Sequence, residues 1–355
     1  MARVLVCYGG RSAEHGVSCL SARAVMAALA AAGHDVLPVG IARDGRWTLA
    51  TAEVPPVAAG RLPEVAGDGP DVALATTADG PVLLVMAADG TVAARHPVDV
   101  AFPVLHGPGG EDGSVQGLFA TLGLPFVGAG VQASTLAIDK GAMKDRFARD
   151  GLPQVAYAAF PVARWEADRA AVLADVRRVP APWFVKPARQ GSSIGISRVE
   201  DEDGLAAAVA AAAEHDDRIV VEEAVARPRE LEVGVLEDDG RVEVSCVGEI
   251  VPAHEFYDFD AKYLVASRLD VPADVDPATA AAIAALARRA VAAVGARGMA
   301  RVDCFLASDG RLLVNEINTI PGFTDASMFP RVWAASGVPF PELVGRLVAA
   351  ARAAA

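Results

Sequence analysis

Cysteine is scarce in this 355-residue chain, and the four present, Cys7, Cys19, Cys246 and Cys304, lie far apart with no C-x-x-C spacing. Neither a zinc site nor a disulfide framework is indicated, so buried free thiols are the expectation. Basic residues are outnumbered, 32 Lys and Arg against 45 Asp and Glu, for a formal charge of -13. That balance argues against nucleic acid or an anionic membrane surface as partner, because both need a basic patch. It leaves room for anions to be bound locally. The opening MARVLVCYGGRSAEH turns polar too early for a signal-peptide core. No apolar run approaches bilayer-spanning length, and a cytoplasmic location is expected. Both standard nucleotide fingerprints are also missing: there is no G-x-x-x-x-G-K-[ST], and GPGGEDG at 107–113 fails the G-x-G-x-x-G spacing. There is no internal repeat. What remains, 53% hydrophobic and 22% charged residues, suits an ordinary folded protein of two or three domains.

The chain opens with an apolar strand, RVLVCY, then Gly9-Gly10, a helical stretch from about Val17 to Ala32, and a second strand, HDVLPVGI. This is a β-loop-α-β unit of the kind that builds parallel sheets, and strands in DVALA, PVLLVMA and DVAFPVLHG are expected to continue it. Residues 52–81, rich in Pro, Ala and Gly, read as loop. From about Ala133 a helix carrying Asp139 and Lys140 leads to GLPQVAYAAF. APWFVKP, DRIVVEEAV and RELEVGVL then read as strands around an Ala-rich helix from Asp203 to Glu214. The last third has strands in RVEVSCVGEIVP, a helix of about Pro277 to Gly295 and a hairpin. That helix is amphipathic and carries Arg288-Arg289, so it is expected to lie on a surface and not in a membrane.

The hairpin, RVDCFLASDGRLLVNEIN from Arg301 to Asn318, carries the most chemistry. Asp309-Gly310 between apolar runs signals a two-residue type I′ turn. Pairing Ser308 with Arg311 then sets Phe305 against Val314, Asp303 against Glu316 and Arg301 against Asn318, all on one face. Two opposed carboxylates repel unless something positive lies between them. With the Asn318 oxygen they form a hard donor set suited to Mg²⁺ or Mn²⁺. The same residues can equally be an exposed polar face, and a three- or five-residue loop would slip the register.

Other residues suit phosphate. In FVKPARQGSSIGIS a strand ends in Lys186 and gives way to a loop with Gly191, Ser192, Ser193 and Gly195, whose amides and hydroxyls can fold over phosphate oxygens while Lys186 supplies a point charge. A solvated lysine beside a flexible loop is the plainer alternative. Taken alone, Lys140 reads as a surface lysine and the acids of VVEEAV as a solvated strand end. The same acids can also hydrogen-bond an adenine amino group or ribose hydroxyls.

These segments, together with GGRSAEHGVS from Gly9, HGPGGEDGSVQG from His106, GAGVQASTLAIDK ending at Lys140, EFYDFDAKY ending at Tyr263 and NEINTIPGFTDASMFP from Asn315, resemble the D-alanine:D-alanine ligases of the ATP-grasp superfamily over nearly the whole chain. The resemblance implies a three-domain α/β and α+β fold: an N-terminal parallel-sheet domain, 1–132, a central subdomain with the glycine-rich loop, 133–226, and a C-terminal subdomain with the metal site, 227–355. ATP is then held between the last two. It implies a ligase that joins two D-alanines through an acyl phosphate for peptidoglycan, as a homodimer, with D-serine or D-lactate as second substrate in related enzymes. On the family pattern Asp303, Glu316 and Asn318 hold two Mg²⁺ ions, and Lys140, Lys186 and Lys262 meet the phosphates of ATP. Glu222, Glu223 and Val225 fall at the adenine, and Glu230 falls at the ribose if one residue is inserted in ARPRE. Glu14 and His106 lie beside the first D-alanine, Gly322 and Ser327 beside the second, and Arg301 beside the developing oxyanion. Ser192 and Tyr263 close the site. The chain departs from the pattern at Gly16, where glutamate is common, and at Phe259, where tyrosine is frequent.

Overall fold

The computed structural model describes residues 1–50, 54, 57, 61–238, 240–251, 268–324 and 326–354. The N-terminal strand β1 (Arg3–Gly9) runs parallel to β2 (Asp35–Ile41) on one side and to β7 (Val100–Val104) on the other. β3 (Trp47–Leu49) adds antiparallel to β2. Helix α1 (His15–Ala31) connects β1 to β2 and buries Cys19, Ala22, Val25, Met26 and Leu29, one apolar stripe at helical spacing. β4 (Val72–Thr77), β5 (Gly80–Met86) and β6 (Val92–Pro97) form a separate antiparallel sheet. DVALA and PVLLVMA therefore do not extend the parallel sheet as expected; the tight turn at Gly80 folds them on each other. The stretch 52–81, read as loop, contains β4.

Helix α2 (Ser114–Thr121) is followed by two helices, α3 (Val131–Ile138) and α4 (Lys140–Arg149), where one was expected. Asp139 breaks them: its backbone is extended at φ -82°, ψ 98°, and its carboxylate caps α4 by accepting from Ala142 N at 3.0 Å. The central sheet is antiparallel, in the order β10 (Ser197–Val199), β9 (Trp183–Pro187), β11 (Arg218–Glu223), β8 (Tyr157–Pro161). It is backed by α5 (Val162–Ala167), α6 (Arg169–Val176) and α7 (Glu202–Ala213).

The C-terminal sheet runs β15 (Arg268–Asp270), β14 (Gly248–Val251), β12 (Arg229–Asp238), β16 (Gly298–Leu306), β17 (Leu312–Asn318), with β13 (Arg241–Val244) also on β12. RVEVSCVGEIVP thus holds two strands, β13 and β14. Helix α8 (Pro277–Val294), capped by Asp276 and closed by Gly295 at φ 70°, covers one face through Ile283, Leu286, Ala287, Ala290 and Val291. By length and composition this helix, alone among the described residues, could cross a bilayer, contrary to the expectation that no run approaches that length, but its apolar side lies on Leu231, Val233, Val302 and Ile317. The opposite face carries the polar residues Glu232, Arg301 and Asp303 at one end, while its Leu236, Ile250 and Met299 join the core around Phe329 and Trp333. The last helices, α9 (Met328–Ala335) and α10 (Phe340–Ala353), return to the N-terminal segment: Phe329, Trp333, Leu343 and Leu347 share a core with Val25, Leu29 and Phe102.

Candidate active site

The hairpin register is right at the site for an unforeseen reason. The loop has three residues, Ser308 to Gly310: Ala307 N–H donates to Arg311 O at 2.9 Å, and Gly310 takes φ 85°. That slips the pairing by one, so Phe305 faces Leu313 and not Val314. A bulge at Asn315 slips it back, and Asp303 faces Glu316 and Arg301 faces Asn318 as expected. Next to them, β12 sets Glu232 against Asp303. Three carboxylates from three adjacent strands therefore share one face.

Cations offset that charge. The Arg301 guanidinium forks onto Asp303 at 2.7 and 2.8 Å and reaches Glu232 at 3.0 Å. Burial would lower its pKa, but Asp303 and Glu232 outweigh burial and hold it well above the usual value. Lys140 Nζ lies 3.4 Å from Glu316 and donates to the Gln190 carbonyl at 2.8 Å; the charges of Glu316 and Glu222 outweigh its burial and raise its pKa. Asn318 Nδ2 donates to Asp303 at 3.0 Å. No group of three or more His, Cys, Asp or Glu able to hold a metal occurs among the described residues. Asp303, Glu316 and Asn318 alone are thus too few for a protein-built cage. They fit a Mg²⁺ ion whose remaining ligands are phosphate oxygens and water.

This face forms one wall of a cavity of about 370 Å³. Across it lies Glu14, at the N-cap position of α1 but making no capping hydrogen bond. Its carboxylate instead accepts from the Ser192 hydroxyl, 178 residues away in the glycine-rich loop. Ser192 and Ser193 take φ of 50° and 58°, uncommon for residues other than glycine, and so bring the loop over the cavity. A Cβ at Gly191 would come within 2.7 Å of Glu14 Oε2, so any other residue there would force the Glu14 carboxylate to move. His106 is buried; its Nδ1–H donates to Ile320 O at 3.1 Å, leaving Nε2 to accept from Ser21 Oγ at 3.1 Å. Burial, partly offset by Glu14, lowers its pKa and keeps the ring neutral. Gly322 and Ser327 line the same cavity, and Ser327 Oγ lies 2.8 Å from Thr324 Oγ1.

The residues expected at the adenine and ribose lie outside this cavity lining. Lys186 donates to Glu222 at 2.7 Å. Glu223, half-buried, reaches Arg311 at 3.7 Å, Val225 follows β11, and Glu230 faces Phe305 across β12 and β16. Lys262 and Tyr263 fall outside the described residues.

Three residues here, Lys144 and Glu232 buried and Glu111 half-buried, were not singled out in the sequence. Lys144, four after Lys140 on α4, lies 3.3 Å from Glu222; Glu232 is two after Glu230 on β12. Helical and strand periodicity place each beside a residue already named, which was the available signal. Glu111, inside the HGPGGEDG stretch, accepts from Gly107 N at 2.9 Å and Ile320 N at 3.2 Å. Burial, reinforced by the charge of Glu14, pushes its carboxyl up to about 8. Gly16 also gains a reason: a Cβ there would meet Leu62 Cβ at 2.4 Å, so a glutamate cannot enter without moving the covering segment.

The family descriptions "D-ala D-ala ligase N-terminus" and "D-ala D-ala ligase C-terminus" match residues 3–129 and 147–349. The chain is 48% identical to the D-alanine–D-alanine ligase of Kineococcus radiotolerans, over 98% of this chain and 95% of that protein. It is also 48% identical to that of Mycobacterium tuberculosis, over 99% and 95%. Among solved structures it resembles the VanG D-Ala:D-Ser ligase of Enterococcus faecalis (TM-score 0.82, 30% identity, 99% of each chain covered). It also resembles the D-alanine-D-alanine ligase of Coxiella burnetii (TM-score 0.80, 30% identity, 99% and 94% covered). With both halves matched and the relatives covered almost end to end, the chain belongs to the D-alanine–D-alanine ligase family.

Proposed function

We propose that this chain uses ATP to join two D-alanines into D-alanyl-D-alanine, releasing ADP and phosphate, for peptidoglycan precursor synthesis. The observation that carries the reading is the Glu14–Ser192 contact facing Arg301 and Lys140 across one cavity. A carboxylate that can hold a substrate ammonium thus stands opposite cations that can stabilise phosphoryl oxygens.

In this reading Glu14 fixes the ammonium of the first D-alanine so that its carboxylate oxygen attacks the γ-phosphorus of ATP. A new O–P bond forms as the bond to ADP breaks. Such transfer depends on positioning and charge neutralisation, which Lys140, Lys186 and Lys262 supply. Mg²⁺ or Mn²⁺ ions, held by Asp303, Glu316 and Asn318 with phosphate oxygens, neutralise phosphate charge when bound. Gly322 and Ser327 hold the carboxylate of the second D-alanine. Its amine, having lost a proton, attacks the acyl carbon; the C–N bond forms and phosphate departs with the bridging oxygen. Arg301 stabilises the oxyanion, and neutral His106 shapes the first-substrate pocket. Ser192 with Tyr263 closes the loop and excludes water from the acyl phosphate. Glu222, Glu223 and Val225 bind adenine, and Glu230 binds ribose. The same reading groups residues 1–132, 133–226 and 227–355 as three domains, with the protein acting as a cytoplasmic homodimer.

Purified protein given ATP, Mg²⁺ and D-alanine is expected to release ADP and D-alanyl-D-alanine in equal amounts. ADP release with L-alanine but none with D-alanine would overturn the reading. Strong preference for D-serine or D-lactate in the second position would move the chain to the related ligases.

A further inference from the structure

One buried cation has no part in this mechanism. Lys144 has a side chain only 1% exposed, and its Nζ lies 3.3 Å from Glu222 Oε1, while Lys186 donates to Oε2 at 2.7 Å. One buried carboxylate therefore faces two ammonium groups, although a single counter-ion is enough to compensate it. The two lysines are not equivalent. Lys144 projects from α4 toward the Tyr157 ring, 5.9 Å away, and the Tyr157 hydroxyl is bonded to Asp145 at 2.6 Å. Gln154 further fixes this turn by donating to Lys144 O at 2.8 Å. Lys186 is more exposed, at 11%, and sits at the end of β9, where the chain enters the glycine-rich loop. Lys144 is the fixed partner and Lys186 the one nearer to an incoming ligand.

We infer that Lys144 is a positioning residue: it holds Glu222 as a permanent counter-ion, so that Lys186 can leave Glu222 for a nucleotide phosphate without stranding a buried carboxylate. The inference rests on the nucleotide-binding reading above. If Lys144 were absent, moving Lys186 onto phosphate would leave Glu222 charged and uncompensated in the interior, which is strongly unfavourable. Glu222 would then retain Lys186 and compete with the phosphate. With Lys144 in place, the exchange replaces one of two cations and leaves the other. The ionisation behaviour agrees: burial pushes the Glu222 carboxyl up, but Lys144 and Lys186 together outweigh it and hold it at about 2. Burial pushes the Lys144 ammonium down against the pull of Glu222.

The test is ADP binding to the full-length protein by calorimetry, with folding checked by circular dichroism, for wild type, Lys144→Met, Glu222→Gln and the double variant. Lys144→Met is expected to weaken ADP tenfold or more and to raise KM for ATP while leaving KM for D-alanine within twofold. Glu222→Gln is itself expected to weaken ADP, because Glu222 also serves the adenine in the reading above; in that background, where no carboxylate can retain Lys186, adding Lys144→Met is expected to change the remaining ADP affinity by less than twofold. A folded Lys144→Met protein that binds ADP within twofold of wild type would overturn the inference. So would a tenfold loss on adding Lys144→Met to Glu222→Gln, and this arm stands even if the single variant fails to fold. Wild type that binds no ADP would instead remove the nucleotide reading beneath it.

Discussion

Glu111→Gln should flatten part of the pH dependence of stability. The Glu111 carboxyl is buried between Gly107 N and Ile320 N and faces the charge of Glu14, and burial carries it from the usual 4.5 to about 8. The folded protein thus binds this proton more tightly than the unfolded chain does. Stability from this group is fully present below pH 4.5 and is lost as pH rises towards 8. At about 1.4 kcal/mol per unit, the full loss is about 5 kcal/mol. With an unfolding entropy of about 2.1 cal/mol/K per residue, that lowers the melting temperature by roughly 5 to 7 °C. His106, whose pKa is lowered by burial, acts in the opposite direction, gaining stability as pH rises through the histidine range. Comparison with the variant therefore isolates the contribution of Glu111. Its amide turns a nitrogen towards one of the two backbone donors, a constant penalty of about 1 to 3 kcal/mol that shifts the curve without tilting it. The assay is melting temperature from pH 5 to 9 for both proteins. Parallel curves would refute the assignment of a buried, protonated carboxyl at this position.

Asp303→Asn removes the charge that Arg301 grips and should cut turnover by about 100-fold or more with an unchanged circular dichroism spectrum; near-normal turnover would sink its role at the metal. Gly191→Ala drives a Cβ against Glu14 and should break the Ser192 contact, raising KM for D-alanine about tenfold for about 1.4 kcal/mol of lost binding, as read from initial rates. Gly16→Glu, the residue common in related sequences, should cost about 1 to 3 kcal/mol by overpacking against Leu62. Leu62→Gly in the same protein, which removes the Cβ that the new side chain would meet, should raise the melting temperature again, and no recovery would mean the clash lies elsewhere.

Much of this site was legible because its residues lie on regular elements. The cross-strand pairs Asp303–Glu316 and Arg301–Asn318 followed from strand periodicity and a turn, although the turn assignment was one residue off and only the Asn315 bulge restored the register. No local spacing signals a bulge, because Asn315 continues the strand pattern on either side. The pairing of β4 and β5 with each other was hidden for a similar reason: alternation marks a strand but not its neighbour. Glu14 and Ser192 illustrate the harder limit. Their contact spans 178 residues and joins a helix N-terminus to a loop, so periodicity alone could not link them, and only the ordered set of motifs placed both at one site. Lys144 and Glu232 were within reach at helical and strand spacing from Lys140 and Glu230, but a lone lysine or glutamate gives no sign of burial until the opposing strands are known.

In the proposed reaction a carboxylate oxygen of the first D-alanine becomes bonded to phosphorus. D-alanine labelled with ¹⁸O in its carboxylate, turned over with ATP by the purified protein, tests this through the mass of the phosphate released. One ¹⁸O is expected in each phosphate formed with D-alanyl-D-alanine, carried over as the bridging atom. Dipeptide formed alongside phosphate without label would contradict it.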